Sequence, residues 1–127
     1  MVLGIGTDIV EVARIEKLYQ KFPDSFAQRL LCDGELQELS ATAFPARFLA
    51  KRWALKEAVS KALGTGIAKG VRFVDMEICH HDSGAPFLKL SGEAQKVAER
   101  LGIQNWQISV SDEQHYCVAF VLAQSNS

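Results

Sequence analysis

The chain has 127 residues, 48% of them hydrophobic, and a formal net charge of −1. This size suits a single domain with one core, and the balanced charge argues against bulk nucleic-acid binding. The three cysteines are far apart and show no CxxC spacing, which argues against a disulfide framework and a zinc site. Because no segment reads as a signal peptide or a membrane span, we expect a cytoplasmic location without membrane association.

The chain begins with a predicted β-strand over residues 2–10, where the side chains alternate with strand period. We expect one of its faces to pack on the core, namely Leu3, Ile5, Thr7 and Ile9. The opposite face carries Gly4 and Gly6 beside the carboxylate of Asp8. This carboxylate is therefore expected on a face cleared of bulky side chains, although a lone aspartate is more often a turn or capping residue.

A helix is predicted from Glu11 to Phe22, where the apolar residues change to helical spacing and Pro23 stops the pattern. The opposite face of this helix carries three basic residues, Arg14, Lys17 and Lys21. Composition alone favours a solvated face as the explanation for this basic stripe. Two short helical segments are expected next, at 26–31 and 35–39.

The clearest helix spans residues 46–63, which contain no glycine or proline and are followed by Gly64. Its apolar residues cover more than one face, so we expect it to be central and largely covered. Glu57 and Lys61 are four residues apart and share a face. Their spacing alone favours an ordinary ion pair on a solvated surface. A flexible loop over residues 64–70 follows.

The second half of the chain is predicted to hold two hairpins and one helix. Strand patterns at 73–79 and 86–90 form the first hairpin, a helix covers 91–101, and strands at 106–110 and 116–122 form the second. This order predicts an α+β fold in which a mostly antiparallel sheet packs with the long central helix. We find no domain boundary, so residues 1–127 are expected to form one domain.

Four features together outline a site that handles phosphate. They are Asp8 on a strand, Glu57 and Lys61 on the long helix, and a Gly-Thr-Gly loop at the end of that helix. Mg²⁺ prefers a few carboxylate oxygens plus phosphate and water, a lysine can neutralise phosphate, and glycine amides can approach it. The loop follows its helix and lacks the Walker ending, so the site is not a P-loop.

Three segments carry a family resemblance that covers essentially the whole chain. GIGTDIVEVARIEK, RFLAKRWALKEAVSKALGTGI and ISVSDEQHYCVAFVL together resemble the holo-[acyl-carrier-protein] synthases of the 4'-phosphopantetheinyl transferase superfamily. The pairing of G-x-D with W-x-x-K-E-A-x-x-K, in this order and separation, is highly specific. The resemblance implies the 4'-phosphopantetheinyl transferase fold.

The resemblance also implies an activity: transfer of the 4'-phosphopantetheine of coenzyme A to a serine of apo acyl carrier protein. The products would be holo acyl carrier protein and adenosine 3',5'-bisphosphate, in support of fatty acid biosynthesis. Asp8 and Glu57 match the family's Mg²⁺ ligands, and Lys61 matches the lysine that contacts phosphate. Glu57 and Lys61 are the candidate catalytic residues, and the general base could be Glu57 or a metal-bound water.

The remaining site residues are carried over from the family motifs. Coenzyme A contacts are expected, besides Lys61, from Arg47, Arg52, Ser60, Gly64, Thr65, Gly66 and Pro86. Known members form homotrimers with active sites at subunit interfaces, which implies that one chain supplies the metal ligands and another supplies the turn around Pro86. The family docks the acidic acyl carrier protein on the first helix, which gives the basic stripe a second interpretation as a partner-binding surface.

One position departs from many relatives, which carry histidine where this chain has Asp112, although others share its Asp-Glu. Asp112 therefore cannot inherit a base role, and a structural role is favoured for the nearby His115. His80 and His81 are expected to be solvated. Two other activities stay open: a binding module for coenzyme A or the carrier protein, and a metal-dependent phosphoester hydrolase.

Overall fold

The structure is a computed structural model, which describes residues 1–126. Its elements follow the predicted order. They are β1 (Val2–Glu11), α1 (Val12–Lys21), α2 (Pro23–Leu30), α3 (Asp33–Ala41), α4 (Pro45–Ala62), a 3-10 turn (Phe73–Asp75), β2 (Met76–His80), β3 (Pro86–Leu90), α5 (Gly92–Leu101), β4 (Asn105–Asp112) and β5 (Tyr116–Gln124). The predicted α+β class is therefore confirmed.

Prolines and glycines set several of these bounds. Pro23 ends α1, as predicted, and also begins α2 at its first helical position, where a missing amide hydrogen costs nothing. Gly102 adopts a left-handed conformation and ends α5. The strand predicted from Phe73 begins only at Met76, because the carboxylate of Asp75 caps a short 3-10 turn through the Arg72 amide at 3.2 Å.

The strands form two antiparallel units. One is a three-stranded sheet in the order β1-β5-β4, and the other is the β2–β3 hairpin. In the sheet, Asp8 lies opposite Ala119 and Ile108 lies opposite Val121. Both predicted hairpins are confirmed, and β1 and β4 become the two opposite edges of the sheet.

Helix α4 packs directly against β1 and β5 and forms the centre of the core. A Cβ atom on Gly6 would lie 1.8 Å from the carbonyl oxygen of Ala58, and one on Gly4 would lie 2.3 Å from that of Ala62. The two glycines therefore let the helix backbone approach the strand closely. Within residues 1–126, no helix combines the length and apolar character that crossing a membrane requires.

The predicted orientation of β1 is wrong. Gly4, Gly6 and Asp8 face α4, whereas Ile5 and Ile9 are 67% and 65% exposed. The physical reason is that α4 comes too close to β1 for large side chains, so glycines occupy the core face. The outer face of the sheet is consequently apolar and uncovered in a single chain, and this outer sheet face is formed by Leu3, Ile5, Ile9, Tyr116, Val118, Phe120 and Leu122.

Candidate active site

Strand β1 and helix α4 bring Asp8 and Lys61 together. The Lys61 ammonium donates to Asp8 Oδ1 at 3.0 Å and to the carbonyl oxygen of Thr7 at 2.9 Å. The lysine side chain is 51% exposed and that of Asp8 only 15%. The predicted pairing of Lys61 with Glu57 is thus replaced by a pairing with Asp8 across the strand–helix contact.

Glu57 lies one turn before Lys61 on the same helix and is half-buried. Burial raises the pKa of its carboxyl group, and the negative charge of Asp8 raises it further. The positive charges of Lys61 and Arg14 act in the opposite direction. The two carboxylates therefore repel each other, and a cation placed between them would be stabilised.

The donor set of this site fits Mg²⁺. Among the described residues there is no cluster of three or more histidine, cysteine, aspartate or glutamate side chains that could form a closed metal cage. Mg²⁺ does not need such a cage, because it is usually held by one or two carboxylates together with water and substrate phosphate. Asp8 and Glu57 supply two carboxylates at the protein surface, with Lys61 as a neighbouring cation.

The loop after α4 is shaped by glycine. Gly64 and Gly66 have positive φ angles of 81° and 63°, and a Cβ atom on either would meet nothing within 4 Å. Backbone conformation, not crowding, is thus the reason for glycine here. Thr65 Oγ1 donates to the Gly66 carbonyl at 2.7 Å, while the buried Ser60 hydroxyl donates to the Glu57 carbonyl at 2.7 Å.

A second group of predicted residues lines a cavity of about 490 Å³. Its walls come from the first half of α4, the β2–β3 hairpin and β4, and they include Arg47, Lys51, Arg52, Gly84, Pro86 and Ile108. The structure therefore brings Arg47, Arg52 and Pro86, three of the predicted coenzyme A contacts, to one cavity. Asp8, Glu57 and Lys61 are not part of this lining.

Arg47 and Lys51 share one carboxylate partner, Asp112. Arg47 Nη1 lies 3.0 Å from Asp112 Oδ2, and Lys51 Nζ lies 3.1 Å from Asp112 Oδ1. Partial burial acts to raise the pKa of Asp112, but the hydrogen bonds from Lys51 and Arg47 outweigh it and lower that pKa. Asp112 is accordingly a charge partner of the two cations. Sequence reasoning missed Lys51, although its i,i+4 spacing from Arg47 was a usable signal.

Arg52 is less available to bind a phosphate than its position in the cavity wall suggests. Its side chain is 6% exposed, and its guanidinium lies 2.9 Å from Glu38, 3.5 Å from Glu35 and 4.5 Å from the Phe48 ring centroid. A phosphate that binds Arg52 must therefore compete with these carboxylates.

The basic stripe on α1 is exposed, as predicted. Arg14, Lys17 and Lys21 are solvent-accessible, and the Arg14 guanidinium lies 5.7 Å from the centroid of Trp53. Beside them is an apolar depression of about 500 Å³ that sequence analysis did not identify, and it is lined mainly by Leu18, Phe22, Phe26, Trp53 and Phe73. A charged surface thus borders an apolar one.

The histidines stand outside the Asp8–Glu57 site. His115 is exposed, and its carbonyl oxygen accepts the amide of Val12 at 2.8 Å. His80 and His81 are exposed, as expected, with the His81 ring 4.4 Å from that of Phe87. These contacts are structural, and the described geometry assigns none of the three to the carboxylate pair.

Comparison with known proteins identifies the family. The model of the 4'-phosphopantetheinyl transferase superfamily matches residues 4–121. Holo-[acyl-carrier-protein] synthase of Hydrogenovibrio crunogenus is 54% identical over 127 residues, which cover 100% of both chains. The crystal structure of the Neisseria meningitidis synthase has a TM-score of 0.92 at 42% identity, covering 98% of this chain and 100% of that one.

A third relative was solved with a ligand. The Helicobacter pylori holo-[acyl-carrier-protein] synthase, in complex with coenzyme A, has a TM-score of 0.83 at 35% identity, covering 94% of this chain and 99% of that one. Similarity in sequence and in structure therefore extends over nearly the whole chain. The chain belongs to the 4'-phosphopantetheinyl transferase superfamily.

Proposed function

We propose that the chain is a Mg²⁺-dependent holo-[acyl-carrier-protein] synthase of the cytoplasm that serves fatty acid biosynthesis. It transfers 4'-phosphopantetheine from coenzyme A to a serine of apo acyl carrier protein and releases adenosine 3',5'-bisphosphate. The observation that carries this proposal is the convergence of Asp8, Glu57 and Lys61 beside the Gly64–Gly66 loop, in a chain with full-length relatives of that name. Its free cysteines agree with a reducing compartment.

Asp8 and Glu57 would hold Mg²⁺ together, with the bound ion supplying positive charge to the pyrophosphate of coenzyme A. Lys61 is exposed enough to leave Asp8 and to neutralise a phosphate oxygen. Glu57 is a candidate base for the serine proton, with a metal-bound water as the alternative.

The nucleotide end of coenzyme A would occupy the cavity lined by Arg47, Lys51, Arg52 and Pro86. Arg47 and Lys51 give the cavity two cations held by one carboxylate, so a net positive charge remains for phosphate. Arg52 would contribute after it leaves Glu38. The Gly64–Gly66 loop and Thr65 would contact the pyrophosphate end, whereas Ser60 would act there through its position beside Glu57.

Helix α1 would bind the acyl carrier protein. The stripe of Arg14, Lys17 and Lys21 complements an acidic partner, and the depression lined by Phe22, Phe26 and Trp53 complements apolar side chains of a partner helix. Arg14 also lies close enough to influence the pKa of Glu57, so a partner bound there would approach the carboxylate pair.

A homotrimer with shared sites is part of the proposal. The proposed site has two parts, which we call half-sites: the Asp8–Glu57 pair and the cavity. Asp8 lies on β1 and the cavity includes Ile108 on β4, so the half-sites are at opposite edges of the sheet. Along α4, Lys51 and Lys61 are separated by about 15 Å. The outer sheet face is apolar and exposed in one chain, which supports its burial against another copy.

The direct test is the intact mass of purified apo acyl carrier protein after incubation with this protein, coenzyme A and Mg²⁺. We expect a gain of one phosphopantetheine, with no gain when a chelator is present. Coenzyme A that binds without any mass gain would favour a binding module. Phosphopantetheine released into solution without modification of the carrier would identify a hydrolase.

A further inference from the structure

A buried carboxylate, Glu35 on α3, bonds α4 on the side that faces α3 and β2. Glu35 is 1% exposed, and its partner Lys56 is completely buried, with Lys56 Nζ 2.7 Å from Glu35 Oε1. Lys56 also donates to the carbonyl oxygen of Leu30 at 2.7 Å. The residue that follows Lys56 in the chain is Glu57, so this contact is adjacent to a proposed metal ligand.

Glu35 connects several elements at once. Its Oε1 accepts the amide of Cys32 at 2.9 Å, which caps α3, and its Oε2 accepts the amide of Ile78 on β2 at 3.3 Å. Arg52, one turn before Lys56 on α4, lies 3.5 Å from the same Oε2. Two successive turns of α4 are therefore held to α3 and β2 through a single side chain.

Stability alone does not account for this arrangement. Two ionised groups withdrawn from water lose several kcal/mol of solvation each, and well-packed apolar side chains of the same volume are often equally stable or better. What a buried pair fixes is geometry, because charged groups tolerate displacement from their partners poorly. The Glu35–Lys56 pair consequently defines the position of α4 more strictly than apolar contacts would.

The opposite side of α4 meets β1 through small residues and one exposed lysine. There the contacts are between the backbone of Gly4 and Gly6 and the carbonyls of Ala62 and Ala58. This surface of small residues allows close approach, and the long side chain that crosses it is the half-exposed Lys61, which donates to Asp8 Oδ1 and to the Thr7 carbonyl. Because the proposed function moves Lys61 from Asp8 to phosphate, the Glu35 side is the one that continues to hold Glu57 in position along the helix axis.

We propose that Glu35 and Lys56 are positioning residues for the reaction, which set the placement of Glu57 opposite Asp8. This inference rests on the proposed function of the Asp8–Glu57 pair. A displacement of about 1 Å at a reacting group can reduce a rate by about 100-fold, so a small shift of α4 is sufficient. Neither Glu35 nor Lys56 contacts the substrates in this assignment.

The test compares wild type with Glu35→Gln, with the charge-free double variant Glu35→Gln plus Lys56→Met, and with the control Glu93→Gln. Glu93 forms an exposed ion pair with Arg100 on α5, away from α4. For each protein we would measure the melting temperature, its rise on addition of Mg²⁺ and coenzyme A, and kcat and KM of transfer. The rise in melting temperature reports ligand binding without requiring turnover.

We expect the double variant to stay folded at the assay temperature but to melt below wild type, because a glutamine in place of Glu35 offers only one acceptor oxygen to the Cys32 and Ile78 amides and removes one carboxylate from Arg52. Its kcat should fall by about tenfold or more, with a smaller temperature rise at equal Mg²⁺ and coenzyme A and little change in KM for the carrier protein. Glu93→Gln should match wild type in every measurement.

A purely structural role gives a different pattern. The apo melting temperature would again fall in Glu35→Gln or in the double variant, but the ligand-induced rise and kcat of the folded fraction would stay at wild-type values. That result overturns the proposal. If the double variant does not fold, the same comparison is decided by Glu35→Gln, which keeps the side-chain shape. Inactive wild type would instead refute the proposed function itself.

Discussion

Glu57 is half-buried and lies beside a second negative charge, that of Asp8. This environment makes its carboxylate a favourable ligand for a cation. Burial is the larger cause of its raised pKa, and Asp8 adds to it. Such a pair is unfavourable without a cation, and Lys61 currently supplies one to Asp8 at 3.0 Å. A bound Mg²⁺ would free this lysine for phosphate, so the three residues are expected to act as one unit.

Substitution of either carboxylate should remove transfer activity without loss of the fold. Asp8→Asn and Glu57→Gln keep the side-chain shape but lose the charge that attracts Mg²⁺, so we expect at least about a 100-fold fall in kcat/KM. The measurement is carrier-protein mass gain over a range of Mg²⁺ concentrations, with far-UV circular dichroism as a check of folding. Glu16→Gln, on the exposed side of α1, serves as the matched control.

Full activity with an unchanged Mg²⁺ dependence in either variant would contradict the assignment of these two metal ligands. A variant that recovers activity only at much higher Mg²⁺ would agree with it, because weaker binding can be compensated by concentration.

At the level of elements, helix α1 presents charge and apolar surface side by side. Arg14 lies over Trp53, and the aromatic depression begins next to it. Charge complementarity mainly steers association and sets its salt dependence, while the apolar part contributes the buried area. Mutation of the basic stripe should therefore weaken binding of the carrier protein more than binding of coenzyme A.

Arg14→Glu is expected to weaken binding of the carrier protein by about tenfold and to leave coenzyme A binding nearly unchanged. Reversal of the charge places two negative surfaces together, which costs affinity at low salt and less at high salt. Titration calorimetry with each substrate at two salt concentrations measures this. Lys96→Glu on α5 controls for net charge, and an equal loss for both substrates would remove α1 from the docking surface.

The contact between β1 and α4 depends on the absence of side chains. We expect Gly6→Ala to destabilise the protein by about 2 kcal/mol or more, because its Cβ would overlap the Ala58 carbonyl oxygen. Urea unfolding measures the change. Gly34→Ala is the control, since its Cβ would meet only a flexible Glu77 carboxylate oxygen at 3.2 Å. A Gly6→Ala protein as stable as wild type would show that α4 can move away from β1.

This same contact shows what sequence reasoning could predict. Strand period placed Asp8 correctly on the face of Gly4 and Gly6, and helical spacing located α4 within one residue at each end. Which face of β1 meets the core was predicted wrongly, because hydrophobicity favours large apolar side chains inside. Only the helix-to-strand distance, a tertiary property, explains why glycines are inside and Ile5 is outside.

The candidate site could also be predicted only in part, because some of its contacts join residues that are far apart in the sequence. Asp8, Glu57 and Lys61 occur in recognisable motifs, whereas the pairing of Lys51 with Asp112 joins residues 61 positions apart. The buried Glu35–Lys56 pair is also distant in sequence, and nothing in its local composition distinguishes it from an exposed ion pair. Such long-range contacts require the fold.

At the scale of the whole molecule, one chain has two proposed half-sites and an uncovered apolar sheet face. The half-site of Asp8 and the cavity that includes Ile108 lie at opposite edges of the sheet. Between them, the outer sheet face exposes Ile5 and Ile9 on β1 and Phe120, at 57%, on β5. Assembly of copies would bury this face and could join the half-sites of different chains.

We expect Ile5→Glu to dissociate the assembly and to abolish transfer. A charge on the outer sheet face cannot be buried without a partner, so the solution mass should fall from three times the 14.0 kDa chain mass to a single chain. Light scattering coupled to size exclusion measures the mass, and circular dichroism checks the fold. Leu101→Glu, at an exposed leucine on α5, is the control.

Co-expression of two inactive variants tests whether active sites are shared between chains. Glu57→Gln chains would lack a ligand of the proposed metal site, and Arg47→Ala chains lack a cation of the cavity, so neither variant alone should transfer. If sites form between chains, a mixed assembly contains some sites built from the intact half of each variant. Co-expression should then restore part of the activity, because the intact halves meet at an interface. No recovery in mixed assemblies, or an active wild-type monomer, would require both half-sites to act within one chain.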